Sequence, residues 1–271
     1  MTAPALNTQS LFDVSGKTAL IVGTGTLGLA GAMALAASGV RLTIADKGAE
    51  RLAAAAAELS AAGGGVHEVA TVEKWPESEA DAEAIVDAAV AAHGPIDMMF
   101  VALGWNDVGY IENQSFETWN KVITANLHTY WLACQAAGRH FAHRPASRGR
   151  AKVVMVSSTR GRHGLPSGYT AYCASKSGLE GMVRALGCEW AGKNANANAI
   201  GPTVFRSPVS EWMFSDKEPG KSVRETMLER IPYGRLSEAE DLVGTILYLL
   251  SPASDYMTGQ TLYVDGGYTA D

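Results

Sequence analysis

The sequence predicts an α/β protein built on a single-domain, doubly wound parallel sheet of the Rossmann type, with helices on both faces. Short apolar, β-branched runs alternate with helical stretches along the whole chain, and this alternation is typical of parallel sheets. A glycine-rich turn follows the first run and opens the first helical stretch, as in nucleotide-binding sheets. The length of 271 residues suits one such unit with a large core.

The first half of the chain is predicted to alternate strands with helices. Gly39 and the run Gly63-Gly64-Gly65 end the first two helices, because glycine is favoured just beyond a helix. Gly94-Pro95 ends the third helix. The predicted strands are 17–23, 41–45, 66–72 and 96–103, and the predicted helices are 27–38, 49–62 and 79–93.

The second half continues this alternation. The segment 144–151 is rich in Arg, Gly and Pro and predicts a solvated loop, since the sheet pattern resumes directly after it. We expect residues 1–15 to form an N-terminal tail and residues 16–271 to form the domain. The predicted helices are 116–143, 170–191, 222–230 and 238–250, and the predicted strands are 152–157, 195–200 and 260–264.

Composition narrows the range of partners. The net charge is −6 and no long basic run is present, which argues against a nucleic-acid or anionic-membrane partner and favours small molecules. The first fifteen residues contain no cationic leader with an apolar core, so we expect a cytoplasmic protein. No metal is implied by the spacing of the histidines or cysteines. We expect the cysteines, Cys134, Cys173 and Cys188, to be reduced core residues.

The glycine turn indicates a dinucleotide site. Gly23-Thr-Gly25-Thr-Leu-Gly28 lies between a predicted strand and a predicted helix, where backbone amides can meet a pyrophosphate. Asp46 ends the second strand, and a carboxylate there can accept both ribose hydroxyls and repel a 2′-phosphate. NAD is therefore predicted over NADP. Lys47, directly beside it, is either solvated or a contact for a phosphate.

A Tyr-Lys pair indicates acid–base chemistry. Tyr172 and Lys176 are four residues apart in a predicted helix, so the two side chains share a face. A cation beside a phenol favours the phenolate and lets the phenol exchange a proton near neutrality. Taken alone, this spacing is more often a pair on a helix surface. Other residues of the sequence distinguish a catalytic pair from such a surface pair.

Those other residues are specific. The strand 152–157 leads to Ser158, and Asn126 interrupts an apolar helical pattern. With these residues the chain resembles the classical short-chain dehydrogenase/reductases, from Gly16-Lys17 to Gly267. The resemblance implies a catalytic tetrad of Asn126, Ser158, Tyr172 and Lys176. The serine-to-tyrosine spacing of the family would also admit Thr159, but the Ser-Ser-x-x-Gly pattern favours Ser158.

The resemblance also implies a role for each of these residues. Ser158 holds the substrate oxygen, Tyr172 exchanges the alcohol proton, and Lys176 binds the nicotinamide ribose and lowers the pKa of the phenol. Asn126 holds a water that links Lys176 to solvent. The cofactor contacts that it implies come from Gly23, Gly25, Leu27, Gly28, Asp46, Val72, Ala102, Gly104, Tyr172, Lys176, Phe205 and Ser207.

The chain departs from the family pattern at three cofactor positions. The glycine turn is one residue shorter than Thr-Gly-x-x-x-Gly-x-Gly. The usual Asn-Asn-Ala-Gly after the fourth strand is replaced by Val101-Ala102-Leu103-Gly104, and the Asp that usually ends the third strand is replaced by Thr71 before Val72. These departures predict a divergent subgroup with weaker or altered cofactor binding.

The substrate side is less specific. Residues 203–221 resemble a substrate lid whose apolar inner face is Trp212, Met213 and Phe214, and a helix packed on the core is the equal alternative. Trp105, His163, Tyr169 and Phe205 are candidates to line the pocket. The cluster Arg160, Arg162 and His163 could receive a substrate anion, although such charges are more often solvated or paired between subunits.

We therefore predict an NAD(H)-dependent oxidoreductase that interconverts a secondary alcohol or polyol and its ketone. The alternatives are a dinucleotide-binding sensor or scaffold, and a lyase or epimerase on the same fold. A homo-oligomer, specifically a tetramer, is expected from the resemblance. Helix 116–143 supports it, because Trp119, Ile123, Tyr130, Trp131 and Phe141 give it more apolar perimeter than one sheet face can cover. Tyr256, Met257 and Tyr263 near the edge strand offer a second patch.

Overall fold

A seven-stranded parallel sheet forms the centre of the molecule. The computed structural model describes residues 7–61 and 69–270, and the strand order is β3-β2-β1-β4-β5-β6-β7. This is the predicted doubly wound architecture. The strands are β1 Thr18–Val22, β2 Arg41–Asp46, β3 Ala70–Glu73, β4 Met98–Val101, β5 Ala151–Val156, β6 Ala195–Pro202 and β7 Thr261–Val264.

Helices cover both faces of the sheet. The helices α4, α6 and α7 pack on one face, and α2, α3 and α9 pack on the other. Successive residues of a strand point to opposite faces, so Leu20 and Ile21 of β1 belong to different apolar clusters. The helices are α1 Thr8–Phe12, α2 Thr26–Ala37, α3 Ala49–Ala61, α4 Glu79–His93, α5 Phe116–Ile123, α6 Thr129–Phe141, α7 Thr170–Ala191, α8 Gly220–Leu228 and α9 Glu240–Leu250.

The strand order determines where a ligand can bind. The chain builds outward from β1 to β3, then returns to place β4 on the other side of β1. Ligands of such sheets lie in the crevice beyond the carboxyl ends of the strands where this reversal occurs. No helix within 7–61 or 69–270 is long and apolar enough to cross a membrane.

Several predicted boundaries differ from the structure. The predicted helix 116–143 is two α-helices joined by a π-helical turn, Thr124–His128. The predicted strand 96–103 pairs as a strand only over β4. Beyond β4 the N–H of Ala102 still donates to the carbonyl of Val22 in β1, whereas the N–H of Leu103 donates to the hydroxyl of Tyr130. The helix α1 within the predicted tail was not expected. The Gly63-Gly64-Gly65 run and the first part of strand 66–72 lie outside the described residues.

The three cysteines differ in exposure. Cys134 is buried in the core, Cys173 is half-buried beside Tyr172, and Cys188 is exposed. The expectation that all three are core residues is therefore wrong for Cys188, which lies on the outer face of α7.

Candidate active site

The carboxyl edge of the sheet gathers residues that are far apart in the sequence. Gly23 follows β1, Asp46 ends β2, Gly104 follows β4 and Ser158 follows β5. Because parallel strands end at the same edge, their following residues surround one crevice. The helix α7 brings Tyr172 and Lys176 to Ser158 and the end of β5.

The lysine is enclosed by protein. Lys176 is 1% exposed, and its Nζ donates a hydrogen bond of 2.8 Å to the carbonyl of Val156. The ammonium lies 5.0 Å from the centre of the Tyr130 ring and 5.7 Å from that of Tyr172, within the range of cation–π attraction. Burial lowers the pKa of Lys176 to about 7, and the Glu180 carboxylate acts in the opposite direction. The side chain can therefore change its charge near neutral pH.

The tyrosine differs from the expectation. Tyr172 is half-buried, and burial raises the pKa of its phenol to about 12, while hydrogen bonding to Ser158 and the charge of Arg160 oppose this shift. The sequence suggested that the neighbouring lysine lowers this pKa. The protein surroundings alone shift it the other way, because desolvation of a phenolate outweighs these favourable contacts.

The serine hydroxyl lies where β5 leaves the sheet. Ser158 is 9% exposed and its Oγ accepts a hydrogen bond of 3.1 Å from the backbone N–H of Arg160. This contact caps a short 3₁₀ turn, Thr159–Gly161, and fixes the hydroxyl beside Tyr172. Thr159 is 1% exposed, so the geometry favours Ser158 over Thr159 as the residue available to a substrate oxygen.

The asparagine lies in the π-helical turn between α5 and α6. Asn126 is fully buried, its Nδ2 donates to the carbonyls of Trp105 and Val122, and its Oδ1 accepts from the N–H of Trp105. Single π-helical turns occur frequently at functional sites. A side-chain amide has two N–H donors: one donor of Asn126 holds the segment after β4 at Trp105, and the other bonds the carbonyl of Val122 in α5.

Two residues near the lysine were not singled out for the site from the sequence. Tyr130, counted from the sequence only among the apolar residues of helix 116–143, is fully buried, and its hydroxyl contacts the carbonyls of Leu103 and Val156. Glu180 is 7% exposed and accepts a hydrogen bond of 2.8 Å from Ser157. Its position four residues after Lys176 is a signal that the sequence contains.

The glycine turn leaves the first turn of α2 open. Gly25 is the N-cap residue and provides no side-chain hydrogen bond to the helix, so the first N–H groups are available to an anion. Gly23 has a φ of 95°, a conformation that favours glycine. A Cβ on Gly28 would lie 1.9 Å from the carbonyl oxygen of Gly23. The turn and the helix therefore pack so closely that only glycine fits at this position. These features fit a dinucleotide pyrophosphate.

The acidic residue of β2 is less accessible than expected. Asp46 is fully buried. Its Oδ2 accepts from both the N–H and the hydroxyl of Thr24, at 2.9 Å each, and its Oδ1 accepts from the N–H of Lys47. The guanidinium of Arg51, 58% exposed, lies 3.5 Å from Oδ1. The carboxylate therefore organises the glycine turn, and it is not exposed to a ribose hydroxyl in this arrangement.

The other predicted cofactor residues follow the same edge of the sheet. Leu27 lies in the first turn of α2 with its side chain in the core, and Val72 lies in β3 beside the end of β2. Ala102 and Gly104 follow β4, and a Cβ on Gly104 would lie 3.1 Å from Oδ1 of Asn126. Phe205 forms a bridge with Ser237, and the hydroxyl of Ser207 lies 2.9 Å from that of Ser210.

The predicted lid contains a 3₁₀ helix, Glu211–Phe214. Met213 and Phe214 pack against a small apolar cluster that includes Tyr268, whereas Trp212 is 44% exposed. Part of the predicted apolar face is therefore covered by the protein itself.

The predicted cationic cluster does not converge. Arg160 is 6% exposed and donates to the hydroxyl of Tyr268 and the carbonyl of Gly164, at 2.9 and 3.1 Å. Arg162 is exposed and lies over the ring of Tyr263. Arg160 thus anchors the carboxyl-terminal turn, and the side chains do not form one anion site. Within the described ranges, no group of His, Cys, Asp and Glu could hold a metal ion.

Comparison with known proteins identifies the family of the chain. A family profile described as "Enoyl-(Acyl carrier protein) reductase" matches residues 23–269. An uncharacterized oxidoreductase of Mycobacterium tuberculosis is 45% identical over 260 residues, 96% of this chain and 93% of that protein. The galactitol 2-dehydrogenase (L-tagatose-forming) of Cereibacter sphaeroides is 32% identical over 266 residues, 96% and 98% of the two chains.

A solved structure shares the fold across its whole length. The gluconate 5-dehydrogenase of Burkholderia cenocepacia J2315, in complex with NADP and tartrate, superposes with a TM-score of 0.87 at 26% identity, covering 98% of this chain and 100% of that one. The profile matches most of the chain, and the relatives are similar over nearly their whole length. The chain therefore belongs to the short-chain dehydrogenase/reductase family.

Proposed function

We propose that the protein is an NAD(H)-dependent dehydrogenase that interconverts a secondary alcohol or polyol and its ketone, with Asn126, Ser158, Tyr172 and Lys176 as its catalytic set. The proposal rests on one observation: a phenol lies beside a serine hydroxyl and a fully buried lysine at the carboxyl edge of the sheet. Perturbed titratable groups grouped in such a crevice are typical of acid–base sites.

The proton chemistry follows from this arrangement. In alcohol oxidation, Ser158 would donate a hydrogen bond to the substrate oxygen, and Tyr172 would take the hydroxyl proton in its phenolate form. Because burial raises the pKa of the phenol to about 12, the positive charge of the bound nicotinamide would have to stabilise that phenolate. The nicotinamide supplies the hydride chemistry when bound, and the protein fixes its distance from the carbinol carbon. In ketone reduction Tyr172 returns the proton to the substrate oxygen. Because the pKa of Lys176 lies at about 7, the lysine can pass the proton on at neutral pH.

The role of Asn126 follows from its hydrogen bonds. Its two N–H donors already serve Trp105 and Val122. A water beside Lys176 would therefore have to use the second lone pair of its Oδ1 or backbone groups that the π-helical turn leaves unpaired. We propose that Asn126 acts mainly by holding the Trp105 segment and the π-helical turn in place.

NAD is the proposed cofactor. The open N-terminus of α2 fits the pyrophosphate, and a carboxylate at the end of the second strand, where Asp46 lies, would repel the 2′-phosphate of NADP. The related gluconate 5-dehydrogenase was solved with NADP. In this chain the guanidinium of Arg51 lies 3.5 Å from Asp46, and the ammonium of the adjacent Lys47 lies over the ring of Trp75. Cofactor choice therefore depends on the balance between one carboxylate and two cations.

A sensor or scaffold that binds the dinucleotide without turnover is the second candidate. The observation that favours it is the buried Asp46, engaged by Thr24, together with Val101-Ala102-Leu103-Gly104 in place of the family's two amides. A lyase or epimerase would use the same acid–base pair without net redox change. The fully buried lysine favours an enzyme, since a scaffold gains nothing from this costly burial.

A substrate panel tests the proposed function. Purified protein is given NAD or NADP with secondary alcohols, polyols and sugar acids, and the absorbance of the reduced nicotinamide is followed. The polyol relative leads us to expect turnover of a polyol with NAD. A parallel titration that follows NADH fluorescence measures binding, so that binding without turnover of any panel member would favour the sensor.

We also propose that the protein is a homo-oligomer, specifically a tetramer. A groove of about 420 Å³ lies between α6 and α7 and is lined by Trp131, Met182, Leu186 and Trp190. Trp131 is 49% exposed, and β7 lies at the sheet edge, where another subunit can cover it. Light scattering at micromolar concentration tests this: a mass near 28.5 kDa would refute association, and twice that mass would indicate a dimer.

A further inference from the structure

The segment that follows β4 is held by a hydroxyl from α6. Pairing between β4 and β5 ends at Val101 and Met155. Beyond that point the segments that follow the two strands are no longer paired with each other. The hydroxyl of Tyr130 lies between them: it accepts from the N–H of Leu103 at 3.1 Å, and it lies 2.6 Å from the carbonyl of Leu103 and 3.1 Å from that of Val156. One side-chain group therefore bridges both strand ends.

The same residue contacts the proposed catalytic lysine. The carbonyl of Val156, which the Tyr130 hydroxyl reaches, also accepts the hydrogen bond of Lys176. The ammonium lies 5.0 Å from the centre of the Tyr130 ring. Tyr130 is thus linked to Lys176 twice, through its ring and through a shared acceptor. Both residues are nearly inaccessible to solvent, so water does not weaken either contact.

The sequence explains why a side chain from another element is needed here. The family's Asn-Asn-Ala-Gly is replaced by Val101-Ala102-Leu103-Gly104, so the residues of this strand end carry no side-chain amide of their own. A buried N–H without a partner is costly. The Leu103 N–H finds its acceptor in the phenol of Tyr130, which supplies both a donor and an acceptor.

We propose that Tyr130 replaces the missing amides and is a positioning residue: it holds the end of β4, the carbonyl of Val156 and, through them, the ammonium of Lys176. Its catalytic consequence rests on the proposed dehydrogenase function. The hydroxyl acts on the geometry of Lys176 and touches neither substrate nor the reacting atoms.

The test compares Tyr130→Phe with Thr18→Val. The first keeps the ring and removes the bridging hydroxyl. The second removes a buried hydroxyl at the opposite end of the sheet, where Thr18 accepts from the N–H of Asp97 and donates to the carbonyl of Pro95. We expect kcat of Tyr130→Phe to fall between about tenfold and 10²-fold, the size expected of lost positioning, with KM and the Kd for NADH within about threefold. Thr18→Val should lower Tm and leave kcat unchanged.

A third variant, Tyr130→Gln, removes the ring together with the hydroxyl. Its amide is shorter than the phenol and lacks the ring that lies 5.0 Å from the ammonium of Lys176, so we expect its kcat to lie at or below that of Tyr130→Phe. A kcat of Tyr130→Phe within twofold of wild type, with only Tm lowered, would overturn the proposal.

Two measurements on Tyr130→Phe do not depend on turnover. Hydrogen exchange of the peptide that contains Leu103 should become faster than in wild type and in Thr18→Val. Acetylation of Lys176 by acetic anhydride, followed by mass spectrometry, should also become faster. If wild type turns over no substrate, the dehydrogenase proposal fails, and these two rates still decide the positioning role: unchanged rates would refute it.

Discussion

At the amino end of the sheet, Asp97 lies buried just before β4 and contacts the guanidinium groups of Arg144 and Arg148. At the carboxyl end, the ammonium of Lys176 is equally buried, and its hydrogen-bond partner is a backbone carbonyl. Among the described residues, Lys176 forms no ion pair. The same sheet therefore compensates buried charge at one end and leaves it uncompensated at the other.

The two arrangements have opposite effects on titration. Burial by itself raises the pKa of Asp97, and the hydrogen bonds from Arg148 and Arg144 outweigh it, so the pKa lies below its ordinary value. Burial lowers the pKa of Lys176 to about 7, with only a neighbouring carboxylate opposing it. A buried group whose charge is compensated stays ionised at neutral pH and supports the fold. A buried group without such compensation can gain or lose its proton near neutral pH.

The largest expected effect is at the phenol. Tyr172→Phe keeps the ring and removes the proton donor, so kcat should fall by at least about 10²-fold, the lower limit for general acid–base catalysis. The Kd for NADH should stay within a few-fold. Tyr169→Phe is the matched control, because its ring contacts that of Tyr172 at 6.3 Å. A Tyr172→Phe variant with more than a tenth of wild-type kcat would show that Tyr172 is not the acid–base residue.

The next effect is at the amino end. Asp97→Ala leaves the buried guanidinium of Arg144 without its carboxylate, and breaking one partner of such a pair should cost about 3 kcal/mol in the free energy of unfolding. We expect kcat per folded molecule to be unchanged. Urea denaturation measures the free energy of unfolding, and initial rates measure kcat. A loss of kcat comparable with that expected at the carboxyl end would show that the amino end is not purely structural.

A smaller effect is the pH dependence of stability at Lys176. Its pKa is about 7 in the folded protein and 10.5 when unperturbed, so between these values the unfolded chain binds the extra proton. The free energy of unfolding therefore increases with pH across this window. Below about pH 7, the cost of burying the charged lysine is fully present.

Lys176→Met removes that contribution. The variant should be inactive, yet more stable than wild type at pH 6, with the advantage shrinking as the pH approaches 10. Tm measured at pH 6, 8 and 9.5 checks this. Equal slopes for variant and wild type would mean that Lys176 keeps an ordinary pKa in the folded protein.

The smallest effect is on cofactor choice. Asp46→Asn keeps an oxygen for Thr24 and removes the charge, so kcat/KM for NADP relative to NAD should rise about tenfold. Arg51→Gln should shift the ratio the other way, because it removes a cation that lies 3.5 Å from the carboxylate. A ratio that neither variant changes would mean that another residue, such as Lys47, selects the cofactor.

Much of the site was predictable because its signals are local. The spacing of Tyr172 and Lys176, the serine at a strand end and the glycine turn are short patterns with a direct physical meaning. The apolar pattern of 116–143 did not indicate the role of Tyr130, because in sequence an inward and an outward tyrosine look alike. The π-helical turn that contains Asn126 has no periodic signal of its own, so a continuous helix was the natural prediction.

The sequence by itself determined the class of sheet, the cofactor turn and the identity of the proposed acid–base residues, because hydrophobic periodicity and short spacings act within one element. Tertiary structure alone decided the strand order, the burial of Lys176, the shift of Tyr172 away from the expected direction and the engagement of Asp46 by Thr24. These depend on contacts between residues remote in the chain, such as Leu103 and Tyr130, 27 positions apart. Desolvation and shared hydrogen bonds arise only when the folded chain brings such residues together.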